Sequence, residues 1–284
     1  MNKIDFVCFL EVRNCNPNGD IDMDNQPRQN DNGFGYMTDY CIKRKIRDCV
    51  AMIKENEPCY EIYIADDNVA LETKAMSFVE ENGGYDNIKN LSEQERFELV
   101  KNGFKKKYYD VRTFGAVVTS FTKDKYLDGQ IRGAVQIGFA ESLEEIMPQK
   151  VTISRVSVQT EKDLKEKKSE LGSKWIVPYA VYKFSGSINP FTADRNGFTE
   201  DDKELLFNAI LKMCDLNNSS SKTGMSLLKM YVFEHSSRLG DCNFNKISNS
   251  FCIEKTVSDL GKCGYNIDIA KDKIPSTVTV TCFD

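Results

Sequence analysis

The residues in this 284-residue chain best equipped for chemistry are the four cations of one short segment, Lys43, Arg44, Lys45 and Arg47 within TDYCIKRKIRDCVAMI, 38–53. Ile42, Ile46, Cys49, Val50 and Ile53 recur there at helical spacing, and Thr38 is a good N-cap, which predicts an amphipathic helix with one buried face. The cations fill much of the remaining surface near the positive end of the helix macrodipole, where the helix itself gains nothing from them. Free N–H groups at a helix start, together with Lys and Arg, suit phosphate. A merely solvated polar face is the alternative.

Acidic chemistry has one candidate source in the loop before that helix. Asp20, Asp22, Asp24 and Asp31 stand at the first, third, fifth and twelfth positions of a calcium loop, but Asn25 replaces its glycine and a strand precedes it. A turn-rich loop lying along a ligand and supplying Arg28 is the more economical expectation. The single histidine, His235, excludes a His-based metal cluster or a two-imidazole relay, and at the end of a strand pattern it suits a structural role. Ten cysteines contain no C-x-x-C pair and read as reduced, buried thiols. No catalytic residue, metal or cofactor is expected.

These residues need a scaffold, and 40% hydrophobic content is enough for a sizeable core. A net charge of −5 argues against indiscriminate nucleic-acid binding yet permits a local basic groove. No stretch approaches the roughly 18 apolar residues of a membrane span, and MNKIDFVCFLEVR enters a strand pattern directly, so the chain is expected in the cytoplasm. Ile4–Val12 predicts a strand buried on both faces. A long Asn/Asp/Gly/Pro loop leads to the basic helix.

From 56 to about 110 the pattern weakens, as in an insertion, with a helix opened by a Ser92/Glu95 capping box and ending in Lys105, Lys106 and Lys107, where the dipole favours cations. A short helix is expected over Asp110–Thr119, packed through Phe114 and Val117. Strands follow over Gln130–Phe139 and Val151–Val158, then a charged arm, EKDLKEKKSELGS, and a strand over Trp175–Ile188. Thr199 and Asp202 open another helix, NNSSSKTG is a loop, Leu227–His235 is a strand, and a small helix and two strands close the chain. The larger elements run strand, helix, strand, strand, helix, strand, the order of an α+β, ferredoxin-like fold. The usual RNA-recognition signature is absent, so any RNA is expected away from an aromatic sheet face.

NCNPNGD (14–20), PR (27–28), GYMTDYCIKRKIRD (35–48), DVRTFGAVV (110–118), GQIRGAVQ (129–136), GSKWIVPYAVYKFSGSIN (172–189) and SSSKTGMSLLKMYVFEHSSRLG (219–240) together resemble the CRISPR-associated Cas7 family, most closely the Csd branch of type I-C Cascade. The resemblance implies a single RNA-binding unit over 1–284: a modified RNA-recognition-motif palm with finger-like insertions at about 56–110 and a thumb hairpin at 155–175. It implies an antiviral backbone subunit that polymerises along a guide RNA (crRNA) while the guide pairs with target DNA, with copies of itself, other Cascade subunits and no membrane as context. Carried over by position, Lys43, Arg44 and Arg47 become the leading guide contacts, with Lys45 less certain from its facing. Arg28 and Lys222 join them, and Leu164, Leu171 and Lys174 are the thumb candidates. Related type III subunits cut target RNA with a loop aspartate, which keeps Asp20, Asp22, Asp24, Asp39 and Asp110 as an enzymatic alternative. A protein-interaction module that presents the basic helix to an acidic partner is the other.

Overall fold

Strand β1 (Ile4–Cys15) is the centre of the structure, a computed structural model that describes residues 1–55, 57–81, 83–84, 90–118, 129–155, 170–217, 219–259 and 261–284. A two-residue hairpin of β2 (Gly19–Asp20) and β3 (Gln26–Pro27), then β4 (Phe34–Met37), lead into α1 (Asp39–Ile53). The insertion holds α2 (Leu71–Glu81), α3 (Glu93–Lys107), α4 (Tyr109–Phe114) and the hairpin β5 (Gly115–Val118) with β6 (Gly129–Arg132). Next come β7 (Val135–Ile137), β8 (Ala140–Glu145), β9 (Gln149–Arg155) and the long β10 (Glu170–Ile188). The chain continues with α5 (Pro190–Asn196), α6 (Glu200–Leu216) and β11 (Met225–His235). It closes with α7 (Phe244–Ser248), β12 (Phe251–Val257), β13 (Cys263–Ile269) and β14 (Val278–Phe283).

The main sheet runs β14-β11-β1-β10-β8-β4, with β7 also paired to β10. Both neighbours of β1 are antiparallel to it. Because side chains alternate across a strand, β1 serves two cores. Phe6, Cys8, Leu10 and Val12 pack with Ile42, Ile46, Cys49 and Val50 of α1 and with Leu206, Ile210 and Met213 of α6. Val7 and Phe9 face the other way, into a core closed by Phe233, Ile247, Ile267 and Ile274. Phe9 meets Phe251 edge-on at 5.3 Å. Each such buried side chain is worth about 1.5–3 kcal/mol, and the second core covers the sheet face that would otherwise be an aromatic platform.

The caps that set the helix starts lie where the sequence places them. Thr38 Oγ1 accepts from Cys41 N, and capping boxes at Ser92/Glu95 and Thr199/Asp202 open α3 and α6. The insertion has its own core of Tyr63, Ala75, Phe78, Val100, Phe104, Tyr108, Val111, Ala116 and Ile131. A Cβ on Gly103 would lie 1.9 Å from Phe78 Cζ, so only glycine admits that ring against α3. Arg112 ties α4 to α6 through a bidentate pair with Asp202, Nη2–Oδ1 2.8 Å and Nε–Oδ2 3.0 Å.

Several elements depart from expectation. The helix predicted over Asp110–Thr119 spans Tyr109–Phe114; Gly115, at φ 88°, turns the chain into β5 and leaves Val117 exposed while Phe114 stays buried. Phe139, on the expected alternation of Val135 and Ile137, is exposed and stacks on Tyr36. The α2 helix and β8 have no counterpart in the sequence reading. The expected arm starts as an antiparallel ladder from Gln149 opposite Ile176 to Arg155 opposite Glu170. Leu171 sits on that ladder opposite Ser154, and Leu164 lies outside the described residues. Among the described residues no helix is long and apolar enough to cross a membrane.

Candidate nucleic-acid interface

Four pieces of chain meet at the start of α1. The loop after β1 comes first: Thr38 N donates to Asn18 Oδ1 at 3.0 Å, and Arg28 N donates to Asn18 O at 3.1 Å. The 219–224 turn comes second, where Ser221 O accepts from Asn16 N at 2.9 Å and Gly224 O accepts from Arg13 N at 2.8 Å. A Cβ on Gly224 would stand 1.7 Å from Arg13 O, so glycine is required for this approach. Lys174, from the β9–β10 ladder, is third and donates from Nζ to Ser220 O. The first two turns of α1 complete the junction.

The predicted cations divide into two sets. Lys43 is paired with Asp39 at 2.7 Å, and Arg44 with Asp48 at 2.8 Å and Asp66 at 3.1 Å. Arg47 points inward, its Nε 2.9 Å from Asp110 Oδ2, and both side chains are buried. Lys43, Arg44 and Arg47, the leading guide contacts implied by the resemblance, are therefore largely neutralised within the chain, Arg47 completely. Arg28 is paired with Asp20 at 2.9 Å, but its Nε is buried without a protein partner.

Lys45 behaves differently. It is only 1% exposed, and among the described residues no carboxylate or hydrogen-bond acceptor meets its ammonium. Burial lowers its pKa, and the like charge of Lys222 lowers it further. Lys222 also has no carboxylate partner among the described residues. Both cations, with Arg28, act on the Cys41 thiol, whose pKa burial nevertheless raises. Lys45 and Lys174 act in the same way on Cys15, again against the dominant effect of burial. Arg28, Lys45 and Lys222 are thus electrostatic neighbours of Cys41, and Lys45 and Lys174 of Cys15, near the helix start. An uncompensated buried charge costs on the order of several kcal/mol, a cost that an anion placed here would offset.

Lys45 could have been singled out by spacing: it lies three residues after Ile42 and four before Cys49, on the apolar stripe itself. Asp110, the partner of Arg47, is 63 residues away, and nothing local announces that pair.

Several of the acidic candidates are engaged in structure, whereas Asp22 and Asp31 are exposed and their carboxylates make no ion pair among the described residues. Asp110 is buried and accepts from Arg47, Tyr63 N (2.7 Å) and Ile64 N (3.1 Å). Asp20 caps the short turn at Asp22 N, and Asp24 pairs with Lys150 at 2.6 Å. Among the described residues no three His, Cys, Asp or Glu side chains converge to hold a metal. His235 is buried, with Asp241 N donating to its Nδ1 at 2.9 Å, so its Nε2–H donates to Asp5 at 2.9 Å. That fixed tautomer ties β1 to β11.

A mixed α+β scaffold presents two lysines near a helix start with no carboxylate ion pair among the described residues, chemistry that would suit a polyanion. The description "CRISPR-associated protein Cas7" matches residues 2–270, and the chain belongs to that family. The Haloferax volcanii CRISPR-associated protein Cas7 is 26% identical over 220 residues, covering 72% of this chain and 62% of that relative; the match thus spans less than two thirds of the relative's length. A chain of a solved CRISPR RNA-guided surveillance complex, in a pre-nicking state, shares the fold with a TM-score of 0.52 at 11% identity, covering 82% of this chain and 78% of that one.

Proposed function

We propose that this chain is a guide-RNA-binding backbone subunit of a type I CRISPR surveillance complex, of the Csd branch and type I-C. Its copies stack head to tail along the guide, beside other Cascade subunits, while the guide pairs with target DNA. The observation that carries this reading is the pair Lys45 and Lys222, two neighbouring cations without a carboxylate partner among the described residues of a Cas7-family chain. A guide phosphate is the counter-ion they lack. Arg28 Nε is a further donor beside it, and the buried, unpartnered Asn16 Oδ1 suits a ribose hydroxyl. Lys43 and Arg44 take a lesser part, and Arg47 a structural one.

The palm is the β11-β1-β10-β7/β8 portion of the sheet with α1 and α6 on one face, an arrangement that corresponds to the ferredoxin-like order. The separately cored insertion supplies the fingers, and the β9–β10 ladder is the base of the thumb, with Lys174 at its root. Contact through phosphate and sugar serves a subunit that must accept any guide sequence.

The test is copurification. Lys45→Ala with Lys222→Ala should strip bound RNA and flatten the salt dependence by about 1.4, at about 0.7 per lost single-strand phosphate contact. Retained RNA with an unchanged slope would remove the guide from this site. We further propose a non-catalytic subunit, because Asp110 and Asp39 are committed to Arg47 and Lys43. Cleavage of matched RNA in Mg²⁺, abolished by Asp→Ala substitution in the 20–31 loop, would reverse that assignment.

A further inference from the structure

The two edges of the main sheet are built differently. At one end β4 breaks register with β8 between Phe34 and Tyr36, and the chain at 28–29 lies along its outer side, where Tyr36 N donates to Arg28 O at 3.0 Å and Gln29 bridges to Gly35. Irregularity and a covering segment are common protections of an edge. At the other end β14 has neither. Its ladder with β11 runs unbroken from Met230 opposite Phe283 to His235 opposite Val278, and among the described residues no strand pairs with its far side. Val278–Phe283, VTVTCF, holds no charge, proline or glycine, and an edge of that composition is prone to pair.

The direction of its free groups follows from the ladder. His235 N donates to Lys3 O at 3.0 Å, so His235 turns its backbone groups toward β1. Alternation along β11 then turns Glu234, Val232 and Met230 toward β14, where they meet Thr279, Thr281 and Phe283. The N–H and C=O groups of Val280 and Cys282 therefore point away from the sheet, as does the Val278 carbonyl, while Val278 N already donates to Pro275 O at 2.9 Å. Side chains divide in the same way. Val278 is buried and Val280 packs on the second core, whereas Thr279, Thr281 and Cys282 are exposed.

A row of outward backbone groups is matched by another extended strand, and the sequence of β14 is close to its own complement. Val278-Thr279-Val280-Thr281-Cys282 reads almost the same in both directions about Val280. An antiparallel copy centred there sets Val280 against itself, Thr279 against Thr281 and Val278 against Cys282. The two Val280 residues exchange both their hydrogen bonds, and each Cys282 N–H meets a Val278 carbonyl. The second core continues across the seam through Val280, threonines pair on the opposite face, and no like charges meet. Such self-complementarity of one patch is the requirement of a two-fold contact.

We infer that β14 is an isologous pairing surface on which a second copy of this chain docks its own β14, antiparallel and two-fold related, so that the two sheets join edge to edge. This contact is independent of the guide proposal and differs from head-to-tail stacking in symmetry: a two-fold contact closes at the dimer, whereas a heterologous one continues.

The experiment is sedimentation equilibrium of the full chain, freed of RNA by nuclease and high salt, over roughly 1–200 µM, the range suited to a contact of small area. The expected result is a monomer–dimer equilibrium with no larger species. Thr279→Lys combined with Thr281→Lys sets lysines directly opposite one another at exposed positions and should weaken the dimer about tenfold or more. Under glutathione disulfide, a mixture of Thr279→Cys chains and Thr281→Cys chains should form a disulfide between positions 279 and 281, because this non-hydrogen-bonded pair brings the Cα atoms to about 4.5 Å. Peptide mapping identifies that bond among any others. A chain that stays monomeric to the top of the range overturns the inference, as does a dimer indifferent to the two lysines or a mixture whose disulfides omit 279–281. Growth of RNA-free protein past the dimer would overturn it as well, since the contact would then be heterologous.

Discussion

Arg47 Nε lies 2.9 Å from Asp110 Oδ2, and this buried pair joins the basic helix to the start of α4. Asp110 also holds the Tyr63 and Ile64 amides, so one carboxylate anchors the insertion to the palm. Removing one partner strands the other. Asp110→Ala should destabilise by about 3–5 kcal/mol, because the Arg47 charge stays buried and two amides lose their acceptor. Chemical denaturation measures this. Arg47→Met should keep its RNA-binding salt slope per folded molecule, the outcome that separates a structural arginine from a phosphate contact.

Lys45 gives a pH dependence of opposite sign to that of an ion-paired lysine. Its folded-state pKa is lowered by burial and by Lys222, so in the folded state the charged form is disfavoured relative to the unfolded chain. The penalty is full below the folded pKa and shrinks as pH rises toward the unfolded value of about 10.4, a window in which the unfolded state binds more protons. Denaturation midpoints of RNA-free protein should therefore rise relative to Lys45→Met as pH increases through that window. Bound anion should shrink the difference, and a flat comparison would mean that Lys45 already has a counter-ion.

Gly103 tests how the insertion packs. Ala is the better helix former by about 1 kcal/mol, yet its Cβ would meet Phe78 at 1.9 Å. Gly103→Ala should cost a net amount of about 1–3 kcal/mol through overpacking. Adding Phe78→Leu should recover part of that loss in a double-mutant cycle.

His235 should matter for stability alone. His235→Ala leaves the buried Asp5 with Lys3, at 3.2 Å, as its remaining charged partner and should cost about 1–3 kcal/mol. RNA bound per folded molecule should be unchanged, which a filter-binding assay on the soluble fraction would show.

Local pattern was sufficient for much of the fold. Alternation identified β1 as a strand with two buried faces, and helical spacing with Thr38, Ser92 and Thr199 placed α1, α3 and α6, because caps and periodicity are short-range properties of the chain. Seven motifs in register carried the family. Where spacing was ambiguous the outcome differed: Gly115 ended a helix early, and Phe139 left the strand it was expected to extend.

The site divides along the same line. Residue types and order determined that α1 carries cations at its start and that Arg28 and Lys222 stand on loops near it in function. Which cation is paired depends on partners brought from far along the chain: Asp110 reaches Arg47 across 63 residues, whereas Lys45, on the apolar stripe, makes no ion pair among the described residues and feels the like charge of Lys222. The stripe that buries α1 is legible because it repeats every three to four residues. The pairing of charges is decided by tertiary structure, since Coulomb energy depends on distance in space and on burial, neither of which a linear spacing contains.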